Sequence, residues 1–264
     1  MTTTDRNCLS HWFPLILDAG LPVPRTEIVT TDLNLFGVLE GKPPAGWGDF
    51  LARLTAAVER IGLPAFLRTG QGSGKHNFDR CCNLRKIEYL GQHVYNLVDW
   101  SYTVDMLGLA TDVWAVREFL PVKAMALLPC YGNMPAVREW RLFVRDGKAL
   151  CHYPYWPQDA LQEGIGGPVG AASLFKILAR STPELDAECI RLAERAGQAV
   201  GGGYWSVDVL EARGKLYVTD MALGEHSFHW PGCPNADTGT DRQGRRTRRE
   251  KDCPLCTVRV HPHG

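Results

Sequence analysis

Two carboxylates stand in otherwise apolar runs late in the chain. Asp208 lies in Ser206-Val207-Asp208-Val209-Leu210, and Asp220 in Tyr217-Val218-Thr219-Asp220-Met221-Ala222. An ionised carboxylate among such neighbours is costly unless it is paired or bound to a metal. Two of them on adjacent strands repel each other, and a divalent cation removes that repulsion. Oxygen-only ligands suit Mg²⁺ or Mn²⁺. The alternative is a pair of surface acids on an exposed sheet face.

Upstream, Phe66-Leu67-Arg68 runs into Gly70-Gln71-Gly72-Ser73-Gly74-Lys75. Gly70, Gly72 and Gly74 free backbone N–H groups to approach phosphate oxygens, while Arg68 and Lys75 bring positive charge. The run is not a Walker A loop, which needs Gly at 69 and Ser or Thr at 76, where this chain has Thr69 and His76. A flexible surface loop is the plainer reading. Glu118 ends an apolar stretch, and Glu139 and Arg141 alternate in another; taken alone they are ordinary half-exposed strand residues.

A separate constellation closes the chain. Cys253-Pro254-Leu255-Cys256 has the spacing of a zinc knuckle, which Cys233 and one of His229, His261 or His263 would complete. His229 is the first choice for the fourth ligand. The alternatives are a frayed tail with incidental thiols, or His226, His229 and Trp230 lining an acceptor-substrate pocket. Cys8, Cys130, Cys151 and Cys189 read as small packing residues. Nine cysteines, with Cys81 and Cys82 adjacent and no secretory leader, point to reduced thiols and a cytoplasmic protein.

The elements that must carry these residues follow from the pattern. Helices are expected over residues 10–19, 47–61, 87–107, 172–179 and 182–200, the last with Ser181 and Glu184 in capping-box spacing. Strands are expected over 26–30, 64–69 and 113–120. Hairpins follow at 139–145 with 148–153, about Asp146-Gly147, and at 204–210 with 215–221, about Arg213-Gly214. Residues 158–170 read as a polar connection. Helices and antiparallel hairpins in blocks make the class α+β. The 264 residues carry 29 basic and 29 acidic side chains and are 45% hydrophobic, which excludes a disordered chain and a global pull towards nucleic acid. No apolar run approaches the length of a membrane span.

Taken in order, these motifs resemble the ATP-grasp superfamily. Gly20-Leu21-Pro22-Val23-Pro24-Arg25-Thr26 is similar to the entry into that fold, and the strand cation Arg68 leads into the glycine loop. Arg117-Glu118-Phe119-Leu120 resembles the hinge, Glu139-Trp140-Arg141 the acid-x-Arg strand, and Asp208 with Asp220 the late acids. The resemblance covers about residues 11–230 and points to a small phage or bacterial-type branch with Arg68 in place of the strand Lys. It implies an ATP-grasp domain over 1–230, with lobes of about 20–110 and 111–230, a Cys/His tail over 231–264, and no separate N-terminal substrate domain.

By the same resemblance, adenine lies against Glu118, Phe119 and Leu120. Arg68, Lys75 and Arg141 hold the phosphates with Gly72 and Gly74, and Glu139 lies near the ribose. Asp208 and Asp220 hold Mg²⁺, and Glu225 replaces the family's Asn, which Ala222 lacks. The implied activity is ATP-dependent carboxylate–amine ligation of an amino acid or peptide, with Arg141 and Arg68 as catalytic candidates. A small-molecule kinase would need the same site. A nucleic-acid module would use the basic run from Arg242 to Lys251, which Asp241, Glu250 and Asp252 dilute.

Overall fold

The computed structural model describes residues 5–104, 108–230, 233 and 235. The first half runs α1 (Leu9–Asp18), β1 (Thr26–Thr30), α2 (Phe36–Leu39), α3 (Trp47–Ile61), β2 (Ala65–Thr69), α4 (Phe78–Cys81), β3 (Asn83–Leu84), α5 (Leu90–Thr103) and β4 (Val113–Glu118). The second half runs β5 (Ala126–Leu128), β6 (Met134–Ala136), β7 (Glu139–Arg145), β8 (Lys148–Pro154), α6 (Gln158–Ile165), α7 (Ala171–Leu178), α8 (Pro183–Ala199), β9 (Tyr204–Ala212) and β10 (Lys215–Leu223). The class is α+β: one antiparallel sheet in the order β1-β4-β2-β3, a second in the order β10-β9-β7-β8, and the small β5-β6 ribbon.

Each sheet is covered by helices for a reason visible in its residues. Helix α3 buries Phe50, Leu54, Ala57, Val58 and Ile61, a stripe at helical spacing. With α5 it covers Leu67, Trp114 and Val116 of the first sheet. The second core gathers Trp140, Leu142 and Val144 of β7, Val207 and Val209 of β9, and Val218 and Met221 of β10. Leu192, Ala193 and Ala196 of α8 and Trp12 and Ile16 of α1 close over them. Because strand residues alternate faces, burying these turns Glu139, Arg141 and Asp208 to the opposite side. Asp146 (φ 49°) and Gly147 (φ 75°) both take left-handed backbone in the β7–β8 turn, as a two-residue hairpin loop requires.

Several expectations are corrected. The lobe boundary near residue 110 falls ahead of β4, yet β4 pairs with β1 and β2, so the first sheet extends to Glu118. Thr182, not Ser181, caps α8, accepting the Leu185 N–H at 3.3 Å. Residues 158–165 form α6, which buries Leu161 beneath the first core rather than forming a plain connection. Among the described residues, no helix is long and apolar enough to cross a membrane.

Candidate active site

Three charged side chains form a row across the second sheet. Arg141 of β7 faces Asp208 of β9, and Asp208 faces Asp220 of β10. Arg141 donates to both Asp208 oxygens, Nε to Oδ1 at 2.7 Å and Nη2 to Oδ2 at 2.8 Å, a bidentate pair. Asp220 Oδ1 accepts from Arg68 Nη1 of the first sheet at 2.8 Å. Each acid is held by an arginine, and the row bridges the two sheets.

Asp220 faces the cleft because β10 carries a bulge between Val218 and Asp220. Val218 and Asp220 would share a face in a regular strand. The extra residue, Thr219, lets Val218 and Met221 both enter the core while Asp220 turns out. Thr219 is used as well: its carbonyl accepts from Arg117 Nη1 at 2.5 Å, and its hydroxyl donates to Glu139 Oε1 at 3.3 Å.

Lys75 completes the cluster. Its Nζ lies 4.2 Å from the centre of the Tyr155 ring, and the Arg141 guanidinium lies 4.8 Å from the same ring. Tyr155 follows β8 directly and is tied back by its N–H to the Glu139 carbonyl at 2.9 Å. Burial alone would lower the Lys75 pKa, but Tyr155, Glu139 and Asp208 outweigh it and hold the ammonium above its ordinary value. Burial also disfavours the charge on Asp220, yet Arg68, Lys75 and Arg117 together keep its carboxyl below the usual range.

Glu139 behaves in the opposite way. Burial pushes its pKa from 4.5 up to about 7, aided by Asp208 and opposed by Lys75 and Arg141. A raised carboxyl pKa means the neutral form is favoured in the folded state. The associated stability is present below the unfolded value of 4.5 and is lost as pH rises through about 7. Glu139→Gln is therefore expected to melt above the parent protein at pH 8 and close to it at pH 4.5, by thermal scans at both pH values. An unchanged difference across that window would show that Glu139 is not penalised for its charge.

Of these groups, Arg68, Lys75, Glu139, Thr219 and Asp220 line one end of an open cleft. Its other end is apolar, lined by Phe66, Phe78, Phe119, Leu120, Val122 and Met134. Phe119 packs edge-on to Phe78 with ring centres 6.1 Å apart. Glu118 is held at the rim by Arg25, whose Nε lies 3.1 Å from its carboxylate. Arg117 also lines the cleft and is only 4% exposed. Its Nη2 has no hydrogen-bond partner among the described residues.

Not every expected residue joins this arrangement. Gly72 does not offer its N–H to the cleft, since that group donates to Thr69 Oγ1 at 3.1 Å. It is glycine because a Cβ there would run into the Trp100 ring. Gly74 is needed for its left-handed backbone (φ 58°), which starts the turn that presents Lys75. Glu225 is exposed on the turn after β10 and forms no acidic group with Asp208 and Asp220 among the described residues. The strand ends before it, so its side chain leaves the row. Cys130 is exposed rather than packed, and Cys151 is half-buried beside His229, against the cluster of Phe143, Tyr153 and Tyr204.

Cys253, Cys256, His261, His263 and the basic run from Arg242 lie outside the described residues. Sequence reasoning missed Arg117 and Thr219 as cleft residues, and Tyr155 as the ring beside Lys75 and Arg141. An arginine directly after the apolar run Val113-Trp114-Ala115-Val116 was the available signal for the first of these.

No protein-family model matches the chain, and no curated protein matches its sequence. Solved structures of similar fold include a RimK domain ATP-grasp protein from Sphaerobacter thermophilus, at 15% identity and a TM-score of 0.45, covering 82% of this chain and 58% of that one. The ATP-grasp ligase PsnB, complexed with a precursor peptide and AMPPNP, is similar at 13% identity and a TM-score of 0.43, covering 82% and 48%. D-alanine–D-alanine ligase from Bacillus anthracis, complexed with ATP, is similar at 12% identity and a TM-score of 0.45, covering 82% and 53%. This chain thus spans about half the length of these proteins. The first two are ATP-grasp proteins.

Proposed function

We infer that this chain is an ATP-grasp enzyme that binds ATP with Mg²⁺ between its two sheets and joins a carboxylate to an amine on an amino acid or peptide. One observation carries the reading: Arg68, Lys75 and Asp220 line a largely apolar cleft, and Asp220 continues through Asp208 to Arg141 in one row of register partners. A nucleotide has the same polarity, an aromatic base at one end and a polyphosphate at the other. The apolar end by Phe119 and Leu120 suits the base, and Arg68, Lys75 and Arg141 suit the phosphates.

The donor set also fits a divalent cation. Asp208 and Asp220 are register partners on adjacent strands and offer only oxygen, the ligand type Mg²⁺ prefers. They would hold the ion, which when bound neutralises phosphate charge. Phosphates and a cation are alternative partners for the two arginines and the two aspartates, so exchange leaves no buried charge alone. Arg117 Nη2 is a further donor in the same cleft.

On this reading the protein positions and neutralises rather than supplying a nucleophile. A substrate carboxylate oxygen forms a bond to the γ-phosphorus as the bond to the β-phosphate oxygen breaks, and ADP leaves. The amine nitrogen then bonds to the acyl carbon, the carbon–oxygen bond to phosphate breaks, and nitrogen loses its proton. Arg141 and Arg68, fixed by two-point contacts, face the charge that develops at phosphorus. The catalytic body on this reading runs to about residue 230, ahead of the tail 231–264, and works in the cytoplasm.

Incubation with ATP, Mg²⁺ and pooled amino acids and short peptides tests the assignment. The expected result is ADP and phosphate in equal amounts, with a product whose mass is the sum of two substrates less one water. A product heavier by one phosphoryl group alone would make the enzyme a kinase. No ATP-dependent product would overturn the assignment for these substrates.

A further inference from the structure

We propose that Cys151, His229 and Cys233 bind a Zn²⁺ ion that fastens the segment after β10 onto β8. One ligand atom from each residue lies within 4.8 Å of the other two. Cys151 Sγ and His229 Nε2 are 3.4 Å apart. In a tetrahedral zinc site, with Zn–S about 2.3 Å and Zn–N about 2.0–2.1 Å, neighbouring ligand atoms are roughly 3.5–3.8 Å apart. An ion therefore fits with small movements. Two thiolates and an imidazole are soft ligands that favour zinc over Mg²⁺, which separates this site chemically from the aspartates.

The surroundings hold the ligands in place. His229 packs on Phe143, with ring centres 4.1 Å apart. Its Nδ1 faces the Trp230 carbonyl at 3.4 Å, which leaves Nε2 towards Cys151, an outer contact of the kind that orients metal-bound histidines. The segment is tied to β8 on both sides of Cys233. Tyr153 Oη donates to the Phe228 carbonyl at 3.2 Å, and Asn235 Nδ2 donates to the Leu150 carbonyl at 2.8 Å. Trp230 adds a ring contact with Tyr153 at 5.1 Å.

The site is also near the cleft. Cys151 faces Phe143 in register, and Tyr153, two residues on, faces Arg141. Two residues of strand span about 7 Å. A metal here fixes the edge of the same sheet face that carries the Arg141 row. The ligand set differs from the one expected from spacing, because Cys151 comes from a strand and not from the knuckle. The inference does not depend on the ATP reading.

The test uses the full chain purified under reducing conditions without added metal. Elemental analysis is expected to give about one zinc per chain. Cys151→Ser and Cys233→Ser should each lower the zinc retained against a chelator by at least about tenfold. Both should also lower the thiolate charge-transfer absorbance of the Co²⁺-loaded protein, which the two cysteines share. His229→Gln is the variant to use where a cysteine change prevents folding. Cys189→Ser, which removes a fully buried thiol elsewhere, should keep the metal. Zinc absent from the parent protein, or retained in Cys151→Ser, overturns the proposal. A Cys151–Cys233 disulfide, found after alkylation without reduction, overturns it too.

Discussion

Asp208→Asn is expected to cost about 3 kcal/mol of stability and to lower ATP-dependent turnover by at least about 100-fold. The stability loss comes from Arg141. Its guanidinium is held by both Asp208 oxygens, and the two side chains are 17% and 4% exposed. Asparagine keeps the shape but leaves that cation without a counter-charge in a poorly solvated place. The turnover loss comes from removing an anionic oxygen beside Asp220. Replacing both partners, as Arg141→Met with Asp208→Leu, should recover much of the stability and none of the activity, because no unpaired charge remains. Asp220→Asn separates the effects differently. Its side chain is 34% exposed, so water can compensate and the stability loss should be smaller, with turnover still lost. Denaturant unfolding and ADP release measure the two quantities. Near-parental turnover in either single variant would remove that aspartate from the site.

Arg68→Ala and Lys75→Ala should each weaken ATP binding by roughly 10- to 100-fold, the loss of one charge-assisted contact worth about 1.5–3 kcal/mol. Arg68 is the more demanding case. It bridges Thr69 and Asp220, through Nε to the carbonyl at 3.1 Å and Nη1 to Oδ1 at 2.8 Å. Arg68→Lys keeps the charge but not both contacts, so an intermediate affinity is expected. Titration calorimetry of the three variants would order them. Affinity equal to that of the parent protein in all of them would show that neither cation touches phosphate.

The strands that carry the site were legible because their residues alternate. In β7 and β9 the buried Trp140, Leu142, Val207 and Val209 leave Glu139, Arg141 and Asp208 no choice of face. Asp220 was legible as a candidate but not its direction, since the bulge at Thr219 depends on the register between β9 and β10. The burial of Arg117 was not legible, because nothing local shows that its guanidinium lies 5.5 Å from the Phe13 ring of α1. Tyr155 follows a strand and is placed only by its bond back to Glu139. The glycine run suggested a phosphate cradle, and Gly72 instead answers to Trp100, a packing contact from a helix far along the chain. Cys151 had no sequence signal at all, because its partner His229 is 78 residues away.

Equilibrium binding of ATP in the presence and absence of Mg²⁺, measured on the parent protein and on Lys75→Ala, tests the central claim most directly. Lys75 reaches the acids from a loop and takes part in no strand pairing, so its loss should leave the fold standing. Saturable binding is expected, tightening with Mg²⁺ and weakening at least about tenfold in the variant. Binding that ignores both Mg²⁺ and Lys75, or no binding to the parent protein, would contradict it.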